Sequence, residues 1–352
     1  MKGTAKKKKL FGGLTAVLAT VLAIAIGCTM LCYDWALLVD LALGINSSAT
    51  VSGTVDEESV YYKSAFGDIS ALYMAADART PQQQEALTKM QQELIAAEKA
   101  FCERESEEGS VLLRNEQVGG SAALPLAAGS KVTLFGYAAG NPVYRSSSGG
   151  APANVAGRTV SLAQALRDEG FSINETLQSA LEGSGTDRRV ASPTNGNSDI
   201  GELEVGFYNN YQNTFSEYGD AAIVMFARTG GEGIDLNTKD IDGVSQLALH
   251  KDEQDLLKMI ENSGAFDKTV VLINSGYPME LGWLDEAQYG VDACLWIGDP
   301  GMYGFAGVAD LLSGAANPSG RLSDTYAANS MSAPSMQNFG DISYTNNADY
   351  KY

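Results

Sequence analysis

A single histidine, His250, and four cysteines are all that this 352-residue chain offers of the side chains that bind metals or relay protons at neutral pH. Chemistry that needs several imidazoles, whether a metal centre or a catalytic triad with its own histidine network, is therefore unsupported. Cys28 and Cys32 form C-x-x-x-C within an apolar stretch, without the spacing or surroundings of a metal site. Cys102 and Cys294 could pair in an exported protein, yet Cys294 lies in the apolar run "VDACLWIG" and reads as a buried free thiol. No cofactor is called for. Cations are also scarce: five of the 24 Lys and Arg fall in the first nine residues, which leaves 19 against 43 acids in residues 10–352, a balance of −24. Nucleic acid is excluded as a partner, because its binding rests on cations that neutralise phosphate. The acidity itself reads as solubility.

What is there begins with a lysine cluster followed by an uncharged run from Leu10 to Tyr33, long enough to cross a bilayer as a helix. The expectation is an uncleaved single-pass anchor in the cell membrane, with a cytoplasmic amino terminus and an extracytoplasmic domain. A cleavable signal peptide is the rival, but the run exceeds a normal signal core and lacks a clear small-x-small site. "AIGC", ending at Cys28, has some look of a lipoprotein processing site, against which the apolar residues that continue beyond it argue.

After the anchor, residues 46–104 read as a tether, "GINSSATVSGTVDEES", and a linker helix. Thr80 and Pro81 make a good helix start, and Leu87, Met90, Leu94, Ala97 and Phe101 recur at spacings of three and four, a stripe expected to pack on the domain that follows. Short apolar runs come next: "KVTLFGY" (131–137), "AAIVMFA" (221–227), "TVVLINS" (269–275) and "ACLWIGD" (293–299). Each reads as a strand buried on both faces. Amphipathic stretches such as "SLAQALRDEGF", "DEQDLLKMIENSG" and "GFAGVADLLSG" lie between them. Strand alternating with helix predicts an α/β fold with a mostly parallel sheet sandwiched by helices.

Glycine-rich loops leave these strands: "AAGNPVYRSSSGG", "RTGGEGIDLN", "GYPMELGW" and "PGMYG". In an open α/β sheet, that edge is where ligands bind. The loop "FARTGGEGIDL" sets Glu232 among Gly230, Gly231 and Gly233, with Arg228 before it and Asp235 after it. The glycines do not fit G-x-G-x-x-G, no G-K-[ST] follows, and Glu232 and Asp235 would repel phosphate. Two readings stay open on pattern alone: a structural turn with a solvated glutamate, or glycines that let backbone approach a ligand while Glu232 serves as acid, base or acceptor.

Taken in order, "EEGSVLLRNE", "ALPL", "KVTLFGYAAGN", "GDAAIVMFARTGGEGIDL", "DEQDLLKMIENSG", "TVVLINSGYPMEL" and "GVDACLWIGDPGMYGFAGVADLLSGAANPSGRLSDTY" resemble the second domain of family 3 glycoside hydrolases over roughly residues 105–330. The resemblance implies an α/β sandwich and retaining hydrolysis of β-glycosides, at a site shared with a (β/α)8 barrel. It implies that Glu232 is the general acid/base, that Arg228, Gly231, Gly233 and Asp235 line the substrate site, and that the partner is a β-linked oligosaccharide or glycoside. Many relatives carry arginine where this chain has Leu236. The family's nucleophile is a barrel aspartate, and no barrel-length pattern exists here; "YDW" at 33–35 sits beside the apolar segment and does not qualify. The barrel's Lys-His pair is missing as well, and His250 reads as a surface residue at a helix start.

Most members place the barrel first, whereas a minority place the sandwich first. The expectation is therefore a reversed-order member whose barrel follows residue 352, with residues 331–352 starting the connection, and whose fragment is inactive alone. The rival is a membrane-anchored, non-catalytic saccharide-binding or interaction domain.

Overall fold

The computed structural model describes residues 2–34, 63–64, 67–68, 78–144, 159–186, 200–230, 236 and 245–337, with side chains placed for 14–30 in the first stretch. The chain divides into two units, 1–78 and 79–352.

The first unit holds helix α1 (Lys2–Asp34) and a two-residue pairing of β1 (Lys63–Ser64) with β2 (Gly67–Asp68). Leu14, Val17, Leu18, Val21, Leu22 and Ile24 of α1 are all exposed. The expected transmembrane helix is not met: among the described residues no helix is long and apolar enough to cross a membrane.

In the second unit the linker helix α2 spans Pro81–Gly109. The Thr80 hydroxyl accepts from Gln83 N–H while the Gln83 side chain accepts from Thr80 N–H, and Pro81 occupies the first turn, where its missing N–H costs nothing. The expected apolar stripe does not pack as a whole. Leu87 is buried, but Leu94 and Phe101 are 42% and 57% exposed. The last turns bind the domain through a different face, because Gly307 lets the two backbones touch: a Cβ there would stand 2.2 Å from the Glu103 carbonyl. A closer approach decides which face is buried.

The sheet follows from four apolar runs. β6 (Lys131–Phe135), β8 (Ala221–Ala227), β9 (Thr269–Asn274) and β10 (Ala293–Trp296) are parallel. Every residue of β8 and β9 is buried, so both faces of the sheet are covered. Two strands complete it: β3 (Val111–Asn115) pairs antiparallel with β10 at one edge, and the short β7 (Ser172–Ile173) lies parallel to β6 at the other. A mostly parallel order β3-β10-β9-β8-β6-β7 results. Between β3 and β6 a small pairing joins β4 (Gln117–Val118) to β5 (Ser121–Ala122).

The helices are α3 (Tyr137–Gly140), α4 (Leu162–Asp168), α5 (Glu175–Glu182), α6 (Val205–Asn209), α7 (Lys251–Ser263), α8 (Phe305–Ser313) and α9 (Pro334–Gln337). α8 packs on α2 and α4, while α7 packs on α6. α7 buries Leu256, Leu257 and Ile260 on one stripe and ends at Gly264, whose φ of 58° is the left-handed stop that glycine adopts without strain. In the core, the Phe135 ring meets Tyr208, Phe215 and Phe266 at 5.8, 5.2 and 5.4 Å between centroids. Removing such a buried ring costs about 3 to 5 kcal/mol.

Cys102 and Cys294 are both free, and Cys294 is fully buried on β10, as its apolar neighbours led one to expect.

Candidate functional site

The parallel register, with Phe135 beside Val224, Ala227 beside Asn274 and Trp296 beside Ile273, brings the exits of β6, β8, β9 and β10 to one edge of the sheet. Asn274, fully buried at the end of β9, ties these exits together. Its Oδ1 accepts from Val143 N–H at 2.8 Å, and its Nδ2 donates to the Val143 and Gly298 carbonyls at 2.8 Å each. Gly301 N–H adds a 2.7 Å bond to the Tyr144 carbonyl. One amide side chain thereby fixes the loop after β6 and the loop after β10 against the strand between them.

The loop after β8 is anchored by charge. Arg228 is 2% exposed, and its Nη1 and Nη2 each donate to a different carboxylate oxygen of Glu253 at 2.7 Å. Its other N–H groups go to the Gln246, Ala227 and Ala248 carbonyls. All five donors of the guanidinium are thus spent inside the protein. Glu253, in turn, accepts from His250 N–H at the start of α7. His250 itself is half-buried rather than a plain surface residue. Gly230 leaves the anchor under the Tyr277 ring, where a Cβ would come within 2.5 Å of ring carbon Cζ. Glycine is required there for close approach.

Of the residues expected to form the site, Arg228 is placed as described; Leu236, which stands where many relatives carry arginine, is buried. Gly231, Glu232, Gly233 and Asp235 lie outside the described residues.

Sequence reading missed three groups that organise this edge. Asn274 and Glu253 were visible only as the polar ends of "VVLIN" and "HKDE", the latter a capping spacing. Glu202 carried no signal beyond its acidity. Its carboxylate accepts from the Tyr137 and Leu203 N–H groups and from the Tyr208 hydroxyl, at 2.8 to 3.1 Å. Burial pushes this carboxyl up to about 7, with the charge of Glu253 adding to the effect and the hydrogen bonds opposing it. The same burial, with the Glu202 charge, holds the Tyr208 hydroxyl well above its usual range.

The model of the glycosyl hydrolase family 3 C-terminal domain matches residues 110–352. A β-glucosidase of Ruminococcus albus is 29% identical over 238 residues, 66% of this chain and 23% of that protein. A β-glucosidase of Schizophyllum commune is 31% identical over 135 residues, 37% of this chain and 67% of that sequence. Among solved structures, a β-glucosidase from Paenibacillus barengoltzii superposes with a TM-score of 0.56 at 27% identity, covering 69% of this chain and 25% of its own. β-Glucosidase 3B from Thermotoga neapolitana, solved with α-D-glucose, has a TM-score of 0.54 at 24% identity, over 75% and 34% of the two chains, a likeness of fold alone. The chain therefore spans about a quarter of the length of the Ruminococcus and Paenibacillus proteins.

Proposed function

Because this chain belongs to glycoside hydrolase family 3, we propose that it is the α/β sandwich of a retaining β-glycosidase and that Glu232 is its acid/base carboxylate. The single observation that carries the reading is the position of the loop: it leaves β8 at the strand edge where α/β sheets bind ligands, from a base pinned by the Arg228–Glu253 pair. A fixed base with glycines beyond it suits a carboxylate that must lie against a sugar. Glu232 would protonate the leaving oxygen and then deprotonate the attacking water, while an aspartate of a domain other than this sandwich forms the glycosyl-enzyme. Gly231, Gly233 and Asp235 would line the sugar. Arg228, with no donor to spare, acts as the anchor of the loop rather than as a substrate contact.

A second part of the proposal concerns place. The exposed apolar side chains of α1 favour a lipid environment, and with the lysines before them they make the domain extracytoplasmic.

The test of the catalytic assignment is Glu232→Gln in the intact enzyme. Acid help matters most for poor leaving groups, so alkyl or sugar glycosides should lose on the order of 10²- to 10⁴-fold, and activated aryl glycosides much less in the first step. Added azide should release the trapped intermediate as a β-glycosyl azide. Equal losses on both substrate types, with no azide effect, reduce Glu232 to a binding or structural residue.

A further inference from the structure

Other carboxylates held inside the sandwich are met by donors: Glu253 by Arg228, and Glu202 by two N–H groups and the Tyr208 hydroxyl. One group of acids on the helical face is not. Where α2 crosses α8, the close approach at Gly307 sets Asp310, three residues further along α8, against Glu103 and Glu107, which share one face of α2 at a spacing of four. One carboxylate oxygen from each of the three lies within 4.8 Å of the others. Glu169, at the end of α4, brings a fourth carboxyl within hydrogen-bond reach of Asp310.

Asp310 is 9% exposed, yet among the described residues no N–H, hydroxyl or cation donates to its carboxylate, and none donates to Glu103, Glu107 or Glu169. The groups it faces are carboxyls. Lys99, the cation in the wall of the adjoining cavity, sits over the Tyr303 ring at 5.4 Å instead of pairing with them. That cavity, about 300 Å³ in volume and lined also by Glu103, Glu169 and Asp310, gives an ion a way in from solvent. A buried carboxylate without a donor is held by a proton or by a metal ion. An all-oxygen set suits a hard cation, and calcium accepts irregular arrangements of carboxylates completed by water. Oxygens bonded to one calcium at about 2.3 to 2.6 Å stand at most about 5 Å apart, a limit that the 4.8 Å spread meets.

We propose that Glu103, Glu107 and Asp310 bind a calcium ion, with Glu169 completing the set of carboxylates, and that the ion clamps α2 onto α8. Two ligands come from the linker helix and two from the sandwich, so the metal joins parts that their own charges push apart. Because α2 leads into the sandwich at Ser110, such a clamp would set how firmly the helix holds to it. The site does not depend on the catalytic role of Glu232.

The experiment strips the full chain with EDTA, returns it to metal-free buffer and follows thermal unfolding as calcium chloride is added. The expected result is a saturable rise in melting temperature, about 5 to 10 °C at 100 times the dissociation constant, as ligand linkage gives for a domain of this size. Asp310→Asn relieves repulsion among the carboxyls, so without calcium it should melt no lower than the unaltered chain, and it should lose the response. Glu107→Gln, half-buried on α2, should weaken the response and carries the test if Asp310→Asn fails to fold. Glu108→Gln, whose carboxylate pairs with Arg104 instead, should leave it unaltered. Terbium, a luminescent stand-in for calcium, should give tyrosine-sensitised emission that calcium displaces and that Glu107→Gln diminishes. No calcium-dependent rise, or the same rise in Glu107→Gln and Asp310→Asn, overturns the site. So does sodium chloride reproducing the rise at equal ionic strength, which marks it as screening of charge.

Discussion

The two guanidinium nitrogens of Arg228 and the two carboxylate oxygens of Glu253 meet in parallel at 2.7 Å, with both side chains 1% exposed. This fork joins the end of β8 to the first turn of α7 and fixes the base of the loop that carries Glu232.

Removing one partner strands the other charge in the interior. Glu253→Gln should therefore cost about 3 to 5 kcal/mol of unfolding free energy, and Arg228→Met a similar amount. The double variant Arg228→Met, Glu253→Leu should recover much of that loss. Urea unfolding of the four proteins measures the cycle, and a double variant as unstable as the sum of the singles contradicts the pairing.

Glu202 should make stability fall as pH rises. Its folded value of about 7 lies above the ordinary glutamate range, so between about pH 4.5 and 7 the folded state keeps a proton that the unfolded state has released. The folded state is thus favoured below that window and loses the advantage through it, by up to roughly 3 kcal/mol at 1.4 kcal/mol per unit, and by less because the residue keeps some solvent contact. Asp310 acts in the same direction. Burial, with the neighbouring Glu169 and Glu107, pushes it up to about 8. Urea midpoints should drop from pH 5 to pH 8 in the unaltered chain, less in Glu202→Gln, and least in Glu202→Gln, Asp310→Asn. A slope untouched by these substitutions would show that both carboxyls titrate normally.

Asn274→Ala leaves the Val143 N–H and the Val143 and Gly298 carbonyls without their buried partner. The expected cost is about 2 to 4 kcal/mol. A local readout separates this from general loosening. Amide exchange at Val143 should accelerate far more than exchange within β8.

The proposed topology makes the domain accessible from outside. Protease added to intact cells should digest residues 79–352, and protection that persists until lysis refutes the arrangement.

The linear order of residues determined the elements whose signal is local. "AAIVMFA" became β8 over the same seven residues, "TVVLIN" became β9, and Thr80-Pro81 opened α2. Branched apolar runs bounded by glycines have few alternatives to a buried strand, and a hydroxyl before proline has few to a helix cap. The α/β class followed from their alternation. Pairings between distant residues were settled only by the fold. "VLLRN" gave no sign that it would run antiparallel at the sheet edge, where its partner β10 lies some 180 residues on. Arg228 looked like a ligand contact until Glu253, 25 residues later, took its charge. The stripe through Leu94 and Phe101 has a good helical period, yet the glycine that admits the other face of α2 lies on α8. Periodicity records which side chains share a face of one element, whereas burial depends on which other surface can approach it.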